Sequence, residues 1–393
     1  MEKIPDGWTE EPIKYADLFV SDLLPESTKP DYRFRYVDIG SVTSERGIGR
    51  YTDMEFAVSP SRARKQVEVG DTIVSSVRTY LKAIAMVTEA KDVIVSTGFS
   101  VIRPVEHDPK YLYYLCSSDL FCQQVNKYSW GIAYPAISET LMGGIRVPMP
   151  PVAEQCAIAA VLDSKCGVID RTMSTLEKQI STLERYRASV IHEAVTRGLD
   201  PTVPTKPSGV EWIGDIPESR KLLRLKDVLH INNGKEVAND DGDIPVYGSG
   251  GQFKWTDRAL CSTPALLLGR KGTVNKPLLV KEPFWTVDTM FYGTQKMESD
   301  LRFLFYCALC FDFDCYQTGS TLPSMTQTDL GGILLPFPSI DEQCSIADYL
   351  DRRTSAIDAV LDTKRKQLDV LKRRRQSLIY EYVTGKRRVT EEA

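Results

Sequence analysis

The sequence predicts an α+β protein built as two globular domains, each followed by one long helix, with an internal pseudo-two-fold repeat. Three observations predict it. First, one stretch occurs twice: PPVAEQCAIAAVLD to RASVIHEAVT from Pro150, and PSIDEQCSIADYLD to RQSLIYEYVT from Pro338. One offset of 188 aligns the copies without a gap, placing Glu154 on Glu342, Gln155 on Gln343, Cys156 on Cys344, Leu162 on Leu350, Leu183 on Leu371 and Thr196 on Thr384. A repeat of this length sets the architecture. Second, apolar residues inside it recur every seven positions, the period of a helical seam. Third, the stretches before each copy alternate short apolar runs with polar turns, as strands do. At 393 residues the chain is too long for one ordinary core.

The elements follow in chain order. Residues 1–150 form the first unit, where DTIVSSV, AIAMV and DVIVSTGFSVIRP are predicted strands of a mixed sheet and YLYYLCSSDLFCQQV is a predicted helix. Residues 151–197 are the first long helix. Ile169, Leu176, Leu183 and Val190 fall seven apart, with Met173, Ile180 and Ala194 between them. Gly198 and Pro201 stop it. From Gly167 to Arg197 it spans roughly 45 Å at ~1.5 Å per residue. Residues 198–215, rich in Pro and Gly, are a linker. The second unit, 216–338, echoes the first: IPES at Ile216 matches IPDG at Ile4, RFLFYC matches YLYYLC, and GGILLPFP matches GGIRVPMP. Residues 339–385 are the second long helix, opened by a capping box of Ser339 and Glu342 where the first copy has Pro151. Its seam is Ile357, Leu371 and Leu378 with Leu361 and Leu368, interrupted by Lys364 where the first copy has Leu176. Residues 386–393 are a basic tail. Arg187 and Arg375 hold equivalent seam-edge positions. The commoner arrangement lays such stems on the apolar stripe with the heads in solvent; the alternative fixes register between helices or meets a partner.

Composition narrows the function classes. No apolar run approaches the ~20 residues of a membrane span, and Met1 to Glu11 lacks a basic, apolar leader, so a cytoplasmic location is expected. Nine cysteines without a spaced framework fit reduced thiols. Cys307 and Cys310 have CxxC spacing, but their apolar helical setting and only three histidines favour buried thiols over a metal site. No dinucleotide fingerprint, P-loop, zinc-protease helix or nucleophile elbow is present, and PVYGSGGQFKW does not open a helix. The sequence offers no catalytic, cofactor-binding or metal-ligating residues of its own.

Two variable domains joined by rigid helices suit a molecule that reads two places on one long ligand. Double-stranded DNA presents half-sites about 34–36 Å apart on one face. The loops carry the residue types for phosphate and base contact. In the first unit these are Arg46, Arg50 and Tyr51; Arg78, Tyr80 and Lys82; and Lys127, Trp130 and Tyr134. In the second they are Gln252, Lys254 and Trp255; Arg270, Lys271 and Lys276; and Ser320 and Thr321. Taken singly, each loop reads as a solvated turn, and the first unit carries 16 basic against 19 acidic side chains between Ile4 and Pro150.

The two PxxxEQxxIAxxLD-like openings, the linker SGVEWIGDIPE around Trp212, and the TGSTLP turn that leads through GGI to a Pro-rich helix start resemble the specificity subunit of type I restriction-modification systems. The likeness runs the whole chain. It implies that each globular unit is a target recognition domain reading one half of a bipartite, asymmetric DNA sequence. It also implies that the two helices pack antiparallel as a coiled coil, set the unread spacer and dock two methyltransferase (modification) subunits, joined by restriction and translocase subunits. S-adenosylmethionine, ATP and Mg would then belong to those partners. For docking the expectation falls on Glu154, Gln155 and Arg187 and on Glu342, Gln343 and Arg375. The sequence departs from the family pattern at Arg220, where Trp8 stands in the first unit. The contrasting reading is a coiled-coil adaptor that binds no DNA.

Overall fold

The computed structural model describes residues 4–389 apart from 17, 45, 238, 240 and 316–322. The chain divides into two compact units, one of Met1–Glu177 with Lys366–Ala393, the other of Lys178–Arg365. Both divisions fall inside the long helices, which run unbroken over Val152–Arg197 and Ile340–Val383. Each unit therefore holds one globular domain, the start of the helix that follows it, and the end of the other helix.

In the first unit, two four-stranded sheets form the domain. One has the order Leu18–Val20, Phe99–Arg103, Thr72–Ser75, Ile84–Met86, antiparallel throughout. The other has the order Thr52–Glu55, Arg33–Val37, Val93–Ser96, Ala63–Gln66, with Arg33–Val37 and Val93–Ser96 parallel. The predicted strands are present because their runs are buried on both faces, as in Val74, Val95 and Val101. The single helix predicted over YLYYLCSSDLFCQQV is instead two, Pro109–Ser117 and Asp119–Tyr128. Ser118 separates them: its backbone is extended, and its hydroxyl accepts from the Phe121 amide to cap the second helix.

The second unit repeats the plan. Its antiparallel sheet has the matching order Leu229–Asn233, Met290–Gln295, Ala265–Gly269, Leu278–Val280. Its other sheet has three strands, Gly251–Thr256, Ile244–Gly248 and Trp285–Thr286, the last two again parallel. The linker is not featureless, since Thr205–Pro207 pairs with Asp215–Pro217, and Trp212 packs edge-on against Phe311 at 5.4 Å.

Within each unit the two helix segments run antiparallel, as rising numbers on one pair with falling numbers on the other. In the first unit Asp170 meets Arg375 and Lys165 meets the Tyr382 hydroxyl; in the second Gln179 meets Lys364 and Arg187 meets Asp358. The seam is buried at Ile169, Met173 and Leu378 in the first unit and at Ala194, Ile357 and Leu361 in the second. Leu176, Leu183 and Leu371 are half-buried, as expected where only two helices share a stripe.

One polar clasp ties each domain to its helix, and it is built twice. In the first unit Gln155, fully buried, accepts from the Asp108 amide at 3.0 Å and donates to the Pro150 carbonyl at 2.9 Å. In the second, Gln343 accepts from Asp300 and donates to Pro338, both at 3.0 Å. Asp108 and Asp300 in turn cap the domain helices, and Tyr114 and Tyr306 donate to Asp163 and Asp351 at 2.7 Å. Replacing Gln155 by Leu leaves a buried amide and carbonyl unpaired, at a cost of about 1–3 kcal/mol. Chemical denaturation should show a midpoint lowered accordingly, with Gln343→Leu behaving alike; an unchanged midpoint in both would contradict the clasp.

Arg220 repeats the role of Trp8 by different chemistry. The Trp8 indole N–H donates to Glu154 at 3.0 Å, while the Arg220 guanidinium pairs with Glu342 and also donates to the Val195 and Thr196 carbonyls at the end of the first long helix. Cationic capping of the last carbonyls suits the negative end of a helix. Glu342 thus serves Arg220, and of the predicted capping box the structure shows the Ser339 hydroxyl accepting from the Glu342 amide at 3.4 Å.

Candidate DNA interface

The loops that leave the antiparallel sheets are held by a repeated main-chain frame. In the first unit the segment after Thr72–Ser75 meets the segment before the helical turn Glu139–Gly143. Ile137 donates its amide to Ser76 at 2.9 Å and Arg78 donates to Pro135 at 2.7 Å. In the second unit the segment after Ala265–Gly269 meets the one before Gln327–Gly332. Met325 donates to Arg270 and Gly272 to Pro323, both at 2.9 Å. The two frames match bond for bond, yet the side chains on them differ: Ser76, Val77 and Arg78 in one, Arg270, Lys271 and Gly272 in the other.

The first frame gathers Arg78, Tyr80, Trp130 and Tyr134. Arg78 takes a left-handed backbone, φ 52°, and its guanidinium lies 4.9 Å from the Tyr134 ring centroid. Trp130 and Ala136 exchange both backbone hydrogen bonds at 3.1 Å, closing a tight loop between them. Thr79 and Ser129 share a hydroxyl hydrogen bond at 3.0 Å, and Lys82, also left-handed, pairs with Asp119 at 2.8 Å. Lys127 is exposed near the Tyr128 ring.

Arg46, Arg50 and Tyr51 lie apart, on and after the hairpin of Val42–Thr43 with Gly47–Ile48. Arg46 forms an ion pair with Glu177 of the long helix, Tyr51 stacks under Arg35 at 4.8 Å, and Arg50 is exposed. A hydrogen bond from Arg35 to Glu89 raises the Arg35 pKa above the ordinary guanidinium value.

In the second unit Arg270 lies 5.7 Å from the Phe291 ring and Lys271 pairs with Asp288 at 3.1 Å. The hairpin of Ile244–Gly248 and Gly251–Thr256, which carries Gln252, Lys254 and Trp255, is tied to the same place. The Ser249 amide donates to the Thr289 hydroxyl at 3.3 Å, and the Arg270 amide to the Thr289 carbonyl at 2.8 Å. Lys276 is exposed. Ser320 and Thr321 lie outside the described residues.

The residues expected to dock partners are engaged inside the chain. Gln155 and Gln343 are the buried clasps, and Glu154 and Glu342 serve Trp8 and Arg220, with Arg388 also pairing Glu154 at 2.8 Å. Arg187 and Arg375 do not hold their heads in solvent. Arg187 pairs with Asp358 through bonds of 2.8 and 3.2 Å, and Arg375, only 7% exposed, pairs with Asp170 at 2.8 Å. The offset of the repeat maps each pair onto the other.

Cys307 is fully buried, and burial pushes its thiol up; burial alone takes Cys310 to about 12, so both are held as neutral thiols at neutral pH. Among the described residues no group of three His, Cys, Asp or Glu side chains is placed to hold a metal ion, and no helix is long and apolar enough to cross a membrane. Sequence reasoning missed Ile132 and Phe253, two exposed apolar side chains at the centre of these loops. The available signal was the apolar run of Trp130, Ile132, Ala133 and Tyr134 across a turn marked by Gly131 and Pro135.

Two domains of one plan, each clasped to its own long helix and each presenting different side chains on one loop frame, define a duplicated recognition module. A sequence model of the type I restriction modification DNA specificity domain matches residues 31–185 and again 217–370, so the chain belongs to that family. It is similar to the type I restriction enzyme MjaVIII specificity subunit of Methanocaldococcus jannaschii, 26% identical over 72% of this chain and 71% of that one. It is also similar to the StySPI specificity subunit of Salmonella potsdam, 22% identical over 53% of this chain and 47% of that one. A chain in a solved structure described for the complex assembly and conformational transition of a type I restriction-modification system shares the fold, with a TM-score of 0.71, 22% identity, and coverage of 98% and 99%. The protein is a type I specificity subunit, the non-catalytic component of such systems.

Proposed function

We propose that this subunit reads a bipartite, asymmetric double-stranded DNA target, each unit recognising one half. The first half would be read from the frame carrying Arg78, Tyr80, Trp130 and Tyr134, with Lys82 and Lys127 at its rim. The second would be read from the frame carrying Arg270 and Lys271 with the adjoining hairpin of Gln252, Lys254 and Trp255. Arg50, Tyr51 and Lys276 are proposed phosphate contacts. The long helices would set the unread spacer and dock two methyltransferase subunits, with restriction and translocase subunits completing the complex; S-adenosylmethionine, ATP and Mg would act there. Since Glu154, Gln155, Arg187 and their counterparts are occupied within the chain, docking falls to the outward helix faces. The observation that carries the reading is the loop frame built twice with different side chains, which is what two independent readers on one scaffold require.

The test is selection from a randomised duplex library by the full chain with its modification subunit. A bipartite sequence with a fixed gap is the expected product; enrichment of none would end the proposal. Binding to the selected duplex should weaken steeply as salt rises. Arg78→Ala should relax one position of the first half by about 1–3 kcal/mol and leave the second half unaltered, as read by competition with single-base variants. Equal losses in both halves would contradict separate readers.

A further inference from the structure

The loop closed by Trp130 and Ala136 has a surface that its fold does not need. Ile132 at its tip is fully exposed at 106%, Trp130 is 82% exposed, Tyr134 65% and the neighbouring Tyr80 55%. Scattered apolar side chains on a surface are ordinary, but several large ones in one short loop mark a place that meets something. The loop is also stiff. Gly131 takes φ 115°, and a Cβ there would stand 3.1 Å from the Tyr134 carbonyl oxygen, so glycine is required for the turn. Pro135 fixes the returning strand, its carbonyl accepts from Arg78, and Arg78 itself sits in the left-handed region. A rigid apolar tip is thus presented beside a guanidinium and the exposed Lys127.

That combination fits one occupant. A protein partner with an apolar surface would cover the tip but leave the flanking cations without counter-charge. Duplex DNA offers a base edge to Arg78, phosphate to Lys127, and between its base steps an apolar slot. Proteins that enter a groove with an apolar side chain separate neighbouring stacked bases and kink the duplex. We propose that the tip formed by Trp130, Ile132 and Tyr134 is a wedge that unstacks one base step in the half-site read by the first unit. It rests on the DNA-reading function proposed above, and adds that this half is selected by its deformability as well as by its base edges.

The test places 2-aminopurine at each position of the first half of the selected duplex and follows its fluorescence on binding. A rise of several-fold at one or two adjacent positions is expected. Ile132→Ser, at a site too exposed to disturb folding, should abolish the rise and weaken target binding roughly 10-fold or more, while the preference for the second half stays the same. Specific binding with no rise anywhere in the first half would overturn the wedge and leave the DNA reading standing. So would an Ile132→Ser protein that keeps both signal and affinity. Loss of methyltransferase binding in Ile132→Ser, with DNA binding intact, would assign the tip to a protein contact and overturn the wedge. Failure to select any DNA sequence would overturn both.

Discussion

Four residues inserted into the first long helix between Asp170 and Arg187, together with four between Asp358 and Arg375 in the second, should lengthen the spacer of the preferred target by close to two base pairs. Two repeated ion pairs fix the register of the helices. Asp170 with Arg375 belongs to the first unit, and Arg187 with Asp358 to the second. The chain between them is the same length on both helices, so equal insertions preserve both pairs. Four residues add about 6 Å at ~1.5 Å per residue, against ~3.4 Å per base pair. Binding to the original target should fall by about three orders of magnitude or more, towards the non-specific level. Competition among duplexes of graded spacer length measures it. An unaltered spacer preference would show that the helices are not the ruler. Insertion in one helix alone cannot keep both pairs in register, and should lower stability as well as binding.

The second large effect is expected at Arg375. Its side chain is 8% exposed and its partner Asp170 is 35% exposed, whereas Arg187 and Asp358 are 28% and 48% exposed. Removing a buried cation leaves its carboxylate uncompensated and its own site unfilled, while an exposed pair contributes little. Arg375→Met should therefore destabilise by about 2–3 kcal/mol, below the fully buried range because Asp170 keeps contact with water. Arg187→Met should cost less than about 1 kcal/mol. Denaturant unfolding of the two variants decides: equal losses would mean that burial does not set the difference between two pairs of identical chemistry.

Much of the fold was legible because its signals are local. The seven-residue spacing of Ile169, Leu176 and Leu183 requires only that one helix face be apolar, and Gly198 and Gly385 mark the stops. The strands at Thr72–Ser75 and Phe99–Arg103 announce themselves as apolar runs between turns. The break at Ser118 was missed because the apolar spacing continues across it, and only the serine's competition for the helix amide divides the run. The loop residues were found by type, but their grouping was not. Arg78 and Tyr134 are distant in sequence, and nothing near either one says that Arg78 will donate to Pro135. Arg46, by the same criterion of type, turned out to pair with Glu177.

The sequence by itself determined that two equivalent helices exist, that they share one seam and one offset, and that two different domains precede them, since periodicity and repetition are properties of neighbouring residues. Only the tertiary structure decided how the shared letters are used. Gln155 and Gln343 became buried clasps, Arg187 and Arg375 became register pins, and Trp130, Ile132 and Tyr134 became an exposed crest. Each of these follows from which distant backbone or carboxylate the topology brings within hydrogen-bond reach, or fails to bring, and a linear pattern does not encode that proximity.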